Sequence, residues 1–145
     1  MQNRRAWWKD VLKKYDRIAV VGGPRVGKTT LVRVLDGRPV IHTDDYRKRS
    51  WEAVPHAVIA DVLDLTHDSK RFVVEGVQVA RCLRKGLEVD VVCVLAEPLE
   101  QLSPRQDGMR KGVMTVLADW YKDNKDTPLL QAPPVTDLDK DESEE

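Results

Sequence analysis

The chain has 145 residues, 41% hydrophobic and 33% charged, with 24 basic against 24 acidic side chains, a globular composition at about the length of one domain. No apolar run approaches the roughly 18 to 20 residues of a membrane span, and MQNRRAWWKD lacks the apolar core of a secretory signal, so a soluble, intracellular chain without a membrane partner is expected. Cys82 and Cys93 stand far apart without histidines at ligand spacing, which argues against a disulfide framework or a zinc site.

Trp8, Val11, Leu12 and Tyr15 recur at i, i+3, i+4 and i+7, the stripe of an amphipathic helix. Arg17 to Val21 (RIAVV) is a short β-branched run ending at glycines, the pattern of a buried parallel strand. Gly22 to Thr29 (GGPRVGKT) then fits G-x-x-x-x-G-K-[ST], and Lys28 to Leu35 reads as a helix closed by Asp36-Gly37. Strand, glycine loop and helix form the setting in which that motif cradles phosphate. Backbone N–H groups across Gly22, Gly23, Pro24, Arg25, Val26 and Gly27, proline excepted, turn inward as an anion nest, and the helix beginning through Thr30 adds its positive end. Lys28 would reach the β- and γ-phosphates of ATP, and Thr29 would offer its hydroxyl to Mg²⁺.

Pro39 to His42 (PVIH) reads as a second strand, followed by the polar stretch TDDYRKRS. A carboxylate just after that strand sits on the same sheet edge as the phosphate loop, where it can accept a hydroxyl's proton as the oxygen attacks phosphorus. Asp44 is the preferred base and Asp45 a candidate to hold Mg²⁺ through water, with an Asx turn or helix cap as the structural alternative. Tyr46, Arg47, Lys48 and Trp51 form an aromatic-flanked basic stretch suited to a phosphorylated or stacked acceptor. Trp51 also shares helical spacing with Val54, Val58, Ile59 and Val62, which would place it in the core.

Arg71 to Val74 is a third strand, and Glu75 at its end is a lone acid where a Mg²⁺-associated carboxylate belongs, with Gly76 suggesting close packing against a ligand. Val77 to Lys85 reads as a helix, and Val89 to Leu95 as a fourth strand. Ser103-Pro104-Arg105-Gln106 carries a capping box that opens a helix to about Asp123. Arg105 and Arg110, with Lys111, lie where Gly108 and Gly112 permit bending. They are candidates to close over ATP and neutralise transition-state charge, against a plain alternative in which Asp107 and Lys111 pair on a solvated face. His42, His56 and His67 are too scattered for a metal cluster.

From Thr127 the chain is rich in proline and acid, with six acids against one lysine in residues 137–145, while the rest holds 23 basic against 18 acidic residues. The expected organisation is a domain over 1–126 and a mobile acidic tail over 127–145. Its fold is α/β, three-layered, with a mainly parallel sheet of about four strands, helices on both faces and no fifth strand before the tail.

The segments GGPRVGKTT, HTDDY, VVEG and RQDGMRKG together resemble the P-loop nucleoside and nucleotide kinases, particularly the uridine-kinase-like group. That resemblance implies the P-loop NTPase fold, ATP and Mg²⁺ as cofactors, Asp44 as catalytic base, Glu75 assisting the metal, and Arg105 and Arg110 on a lid. It implies transfer to a hydroxyl of a nucleoside, a nucleotide or a base in DNA, since the family includes phage enzymes acting on hydroxymethylpyrimidines such as 5-hydroxymethyluracil. An NTP hydrolase or switch, and a nucleotide-binding interaction protein without turnover, are the competing readings. The acceptor, the base preference and the oligomeric state are not fixed by these residues.

Overall fold

A computed structural model describes residues 4–22, 38–46, 48–65, 71–95 and 101–133. Helix α1 (Arg4–Lys14) leads into β1 (Arg17–Gly22). After β2 (Val40–His42) come a short 3-10 helix (Thr43–Tyr46) and α2 (Val54–Leu65). Then follow β3 (Phe72–Gly76), α3 (Val79–Arg84), β4 (Val91–Leu95), α4 (Pro104–Tyr121) and β5 (Leu129–Gln131).

The sheet order is β2-β3-β1-β4-β5, and every pairing is parallel. Parallel neighbours require crossovers over the faces, and strands covered on both sides read as unbroken apolar runs. The period-two alternation of each strand then divides the core. Ala19, Val21, Phe72, Val74, Val92 and Val94 pack under α2, α3 and α4. Ile18, Val20, Val73, Val91, Cys93 and Leu95 pack under α1 through Trp8, Val11 and Leu12. The expected three-layer α/β architecture of P-loop type, mainly parallel with helices on both faces, is therefore the one observed.

Arg38, buried where β2 is about to begin, holds α1 in place. Its Nη2 donates to the Leu12 carbonyl at 2.7 Å, and its Nη1 to those of Tyr15 and Asp16 at 2.8 and 3.1 Å. The Leu12 carbonyl lies in the last turn, where a helix leaves its acceptors unpaired, and a cation there also complements the helix dipole. At the start of β1, the Arg17 guanidinium meets Asp90, the residue before β4, at 2.8 Å, tying the amino ends of the two strands together.

Five strands replace the expected four. Leu129, Leu130 and Gln131 pair with Val92, Cys93 and Val94, and the ladder extends through Val92 N–H to the Pro128 carbonyl and Ala132 N–H to the Val94 carbonyl, both at 2.9 Å. A three-residue edge strand with one side chain turned inward carries too little apolar pattern to be recognised, and the prolines around it look like linker. Leu129–Gln131 thus form an edge strand of the sheet, while residues 134–145 lie outside the described residues.

Candidate functional site

The strand order reverses at β1. The chain runs outward to β2, returns to β3, then passes β1 to reach β4 and β5. In such a sheet the crevice at the carboxyl ends beside the reversal is where ligands bind. Gly22, the first residue of the phosphate-loop motif, is the buried last residue of β1 and is flanked by Leu95 of β4. The motif residues Gly23, Pro24, Arg25, Val26, Gly27, Lys28, Thr29 and Thr30 and the helix expected after them lie outside the described residues, as does Arg47.

Glu75 stands on the same edge. It is the fourth residue of β3, aligned with Val20 of β1 on one side and His42 of β2 on the other, and is only 3% exposed. A buried carboxylate needs a partner. His42 supplies it, with Nδ1 at 2.5 Å from Glu75 Oε1 and its own side chain 34% exposed. His42, read from sequence only as one of three histidines too scattered for a metal cluster, is therefore the residue that holds the edge acid.

Gly76 follows with φ +137°, and a Cβ there would stand 1.7 Å from Thr43 Oγ1. Thr43 makes a close approach at the Glu75-Gly76 pair, closing the end of β2 onto that of β3. Thr43 is 2% exposed, and its hydroxyl finds no hydrogen-bond partner among the described residues. Among the described residues no group of three or more His, Cys, Asp or Glu is placed to hold a metal. Mg²⁺ is commonly held by one or two carboxylates plus waters and substrate phosphates, so the Glu75 carboxylate is of the chemical type that ion takes without an all-protein cage.

The 3-10 helix after β2 presents Asp44 and Asp45, both exposed. Asp45 lines a groove of about 540 Å³ with Val40, Ile41, His42, Tyr46, Arg49, Asp61 and Asp64. The Tyr46 phenol donates to Asp61. Its pKa is pushed above the ordinary value, first by burial and then by that bond, so it stays a neutral phenol and a hydrogen-bond donor. A second cavity of about 600 Å³, lined by Arg17, Leu63, Phe72, Leu87 and Glu88, opens at the opposite, amino end of the strands.

Of the remaining acceptor candidates, Lys48 is exposed, and Trp51 is 53% exposed, so Trp51 stands outside the core that Val54, Val58 and Val62 enter. The Arg81 guanidinium lies 4.9 Å from the centre of the Trp51 ring, and no spacing in the sequence pointed to it.

Arg105 and Arg110 lie on α4, which opens with the expected capping box. Ser103 Oγ accepts from Gln106 N–H at 3.2 Å, and Gln106 Oε1 accepts from Ser103 N–H at 3.0 Å. The helix runs unbroken through Gly108 and Gly112 to Tyr121. Arg105 is exposed in the first turn, while Arg110 and Lys111 both meet Asp107, at 3.0 and 3.1 Å. These two cations hold the Asp107 carboxyl below its ordinary range. The i, i+4 pairing named as the plain alternative is thus present, alongside an i, i+3 pair. Cys82 and Cys93 are free and buried, and burial pushes both thiols up to about 12, which leaves them unreactive.

No protein-family model matches the chain, and no curated protein does. Among solved structures it is similar to shikimate kinase from Acinetobacter baumannii in complex with shikimate, at 13% identity and a TM-score of 0.49, over 93% of this chain and 92% of that one. The two share an outline at that level; the assignment of fold rests on the five parallel strands and their order. Among the described residues no helix is long and apolar enough to cross a membrane.

Proposed function

We propose that this chain is an ATP- and Mg²⁺-dependent kinase that transfers the γ-phosphoryl group to a hydroxyl. The observation that carries the reading is positional. The motif GGPRVGKT begins on the last residue of the central strand, and the buried acid Glu75 ends the neighbouring strand on the same edge. Phosphoryl transfer needs little covalent help from protein, only positioning and charge stabilisation, and a cradle, an acid and nearby cations supply these.

In this reading Lys28 and the backbone of residues 22 to 30 bind the triphosphate, and Thr29, Glu75 and Asp45 would hold Mg²⁺. The ion, when bound, would neutralise charge on the phosphates. Asp44, exposed at the start of the 3-10 helix, takes the proton of the attacking hydroxyl, and Arg105, with Arg110 once it leaves Asp107, would neutralise developing charge from α4. His42 acts one step back by fixing the Glu75 carboxylate. The acceptor is read as a nucleoside, a nucleotide or a hydroxymethylpyrimidine such as 5-hydroxymethyluracil in DNA. Tyr46, Arg47, Lys48 and Trp51 are its proposed contacts, because an exposed indole beside basic side chains suits a base and its phosphates.

Incubation with γ-labelled ATP and Mg²⁺ against nucleosides, nucleotides and DNA containing hydroxymethylated pyrimidines tests this directly. Label on an acceptor hydroxyl is the expected result. Label released only as inorganic phosphate would instead make the protein a hydrolase or switch.

A further inference from the structure

Four arginines of the described residues spend their charge on carboxylates: Arg17 on Asp90, Arg71 on Asp16, Arg84 on Asp119 and Arg110 on Asp107. Arg81 does not. It projects from the first turn of α3, directly after the Glu75-Gly76 strand end, and its Nη1 donates to two neutral oxygens, the Trp51 carbonyl at 2.8 Å and Gln78 Oε1 at 3.2 Å. Gln78 is 5% exposed, so one anchor is itself fixed by burial. The guanidinium carbon lies over the exposed Trp51 ring, 4.9 Å from its centre. Both protein bonds come from Nη1, leaving Nε and Nη2 without an acceptor among the described residues, and no carboxylate there neutralises the charge.

A guanidinium lying over an indole and held by neutral acceptors is oriented before any ligand arrives, and its free donors suit the oxygens of a phosphate. The indole beside it offers a π surface to a planar base. The pair stands at the carboxyl edge, because Trp51 lies on the connection leaving β2 and Arg81 on the one leaving β3. We propose that Arg81, seated on Trp51, is the residue that recognises a phosphate on the acceptor, so that the acceptor is a nucleotide, free or within a strand, in preference to a neutral nucleoside. This rests on the phosphoryl-transfer reading only in identifying the bound molecule as the acceptor.

The test is calorimetric titration of the full chain, without ATP and at one fixed ionic strength, with thymidine, thymidine 5′-monophosphate and a short oligothymidylate. The phosphate-bearing probes are expected to bind about tenfold or more tighter than thymidine, the scale of a charge-assisted bidentate contact. Arg81→Lys keeps the charge but loses the fork, and should shrink that ratio several-fold with the melting temperature nearly unchanged. Should Arg81→Lys fail to fold, Arg81→Gln, which retains an amide donor for the Trp51 carbonyl, provides the same comparison. An oligomer bound tighter than the mononucleotide identifies a strand as the source of the phosphate, and equal binding identifies the free nucleotide; both support the proposal. Equal binding of thymidine and its monophosphate, no binding of any probe, or an Arg81 variant that weakens all probes alike overturns it. Phosphate preference without any transfer of label would sink the kinase reading while leaving Arg81 its role, whereas transfer without phosphate preference would do the reverse.

Discussion

His42 and Glu75 are register partners on adjacent parallel strands, with His42 Nδ1 2.5 Å from Glu75 Oε1. The carboxylate is buried and the imidazole partly open, so the histidine meets both the interior acid and the groove beside β2. Removing the partner of a buried polar group costs more than the contact's net worth, because the group remains desolvated. His42→Ala should therefore lose about 1 to 3 kcal/mol in urea unfolding at unchanged m-value, and His42→Asn, which keeps a donor, should lose less. Equal stability of all three proteins would show that the contact contributes nothing.

Gly76 and Thr43 form a second lock at the same edge. A methyl group at Gly76 would stand 1.7 Å from Thr43 Oγ1 and 2.9 Å from its Cβ, on a backbone at φ +137° that L side chains rarely adopt. Gly76→Ala is expected to cost about 2 kcal/mol or more. Adding Thr43→Ala removes the 1.7 Å contact but neither the strain nor the 2.9 Å one, so the double variant should recover only part. Thermal melts of the two variants distinguish contact from backbone strain.

What could be read without coordinates was local. The apolar run of Arg17 to Val21, the glycine loop after it and the capping box at Ser103 each lie within a few residues, and each is governed by short-range chemistry. The acid at the end of β3 was legible because a charge closing an apolar run is conspicuous. Its partner was not, because the His42–Glu75 contact depends on the register of two strands 33 residues apart. The Arg81–Trp51 contact was hidden for the same reason, joining a helix and a turn 30 residues apart. The fifth strand escaped because its three residues are exposed, half-buried and exposed, and its stability comes from β4 and not from its own pattern.

Arg17 and Asp90 make a pH-dependent tie between β1 and β4. Hydrogen bonding from Arg17 is the main cause that lowers the Asp90 pKa beneath its ordinary 3.8. A carboxylate whose folded pKa is depressed contributes stability that is complete above the unfolded value and is lost as pH falls through the folded one. The stability gap between the wild type and Asp90→Asn should therefore be open at neutral pH and close as pH is taken well below 3.8. The gap should be modest, since both side chains are partly exposed. Melting temperatures of the two proteins across that range check the sign, and a gap that widens in acid would contradict it.

Asp44→Asn should leave ATP affinity nearly intact and lower kcat by about 10²-fold or more, the usual size of lost general-base assistance. Asp45→Asn is expected to act through apparent Mg²⁺ affinity. If Asp45→Asn alone abolished turnover while Asp44→Asn did not, the base would be reassigned to Asp45. Steady-state kinetics at varied Mg²⁺ separate the two.

The measurement that bears most directly on the central claim is ATP binding and label transfer by Lys28→Ala beside the wild type. Lys28 is the motif's own cation for the β- and γ-phosphates, and a correctly folded variant should bind ATP at least about tenfold more weakly and transfer no detectable phosphoryl group. Unchanged ATP affinity and undiminished transfer in a folded Lys28→Ala protein would contradict the account.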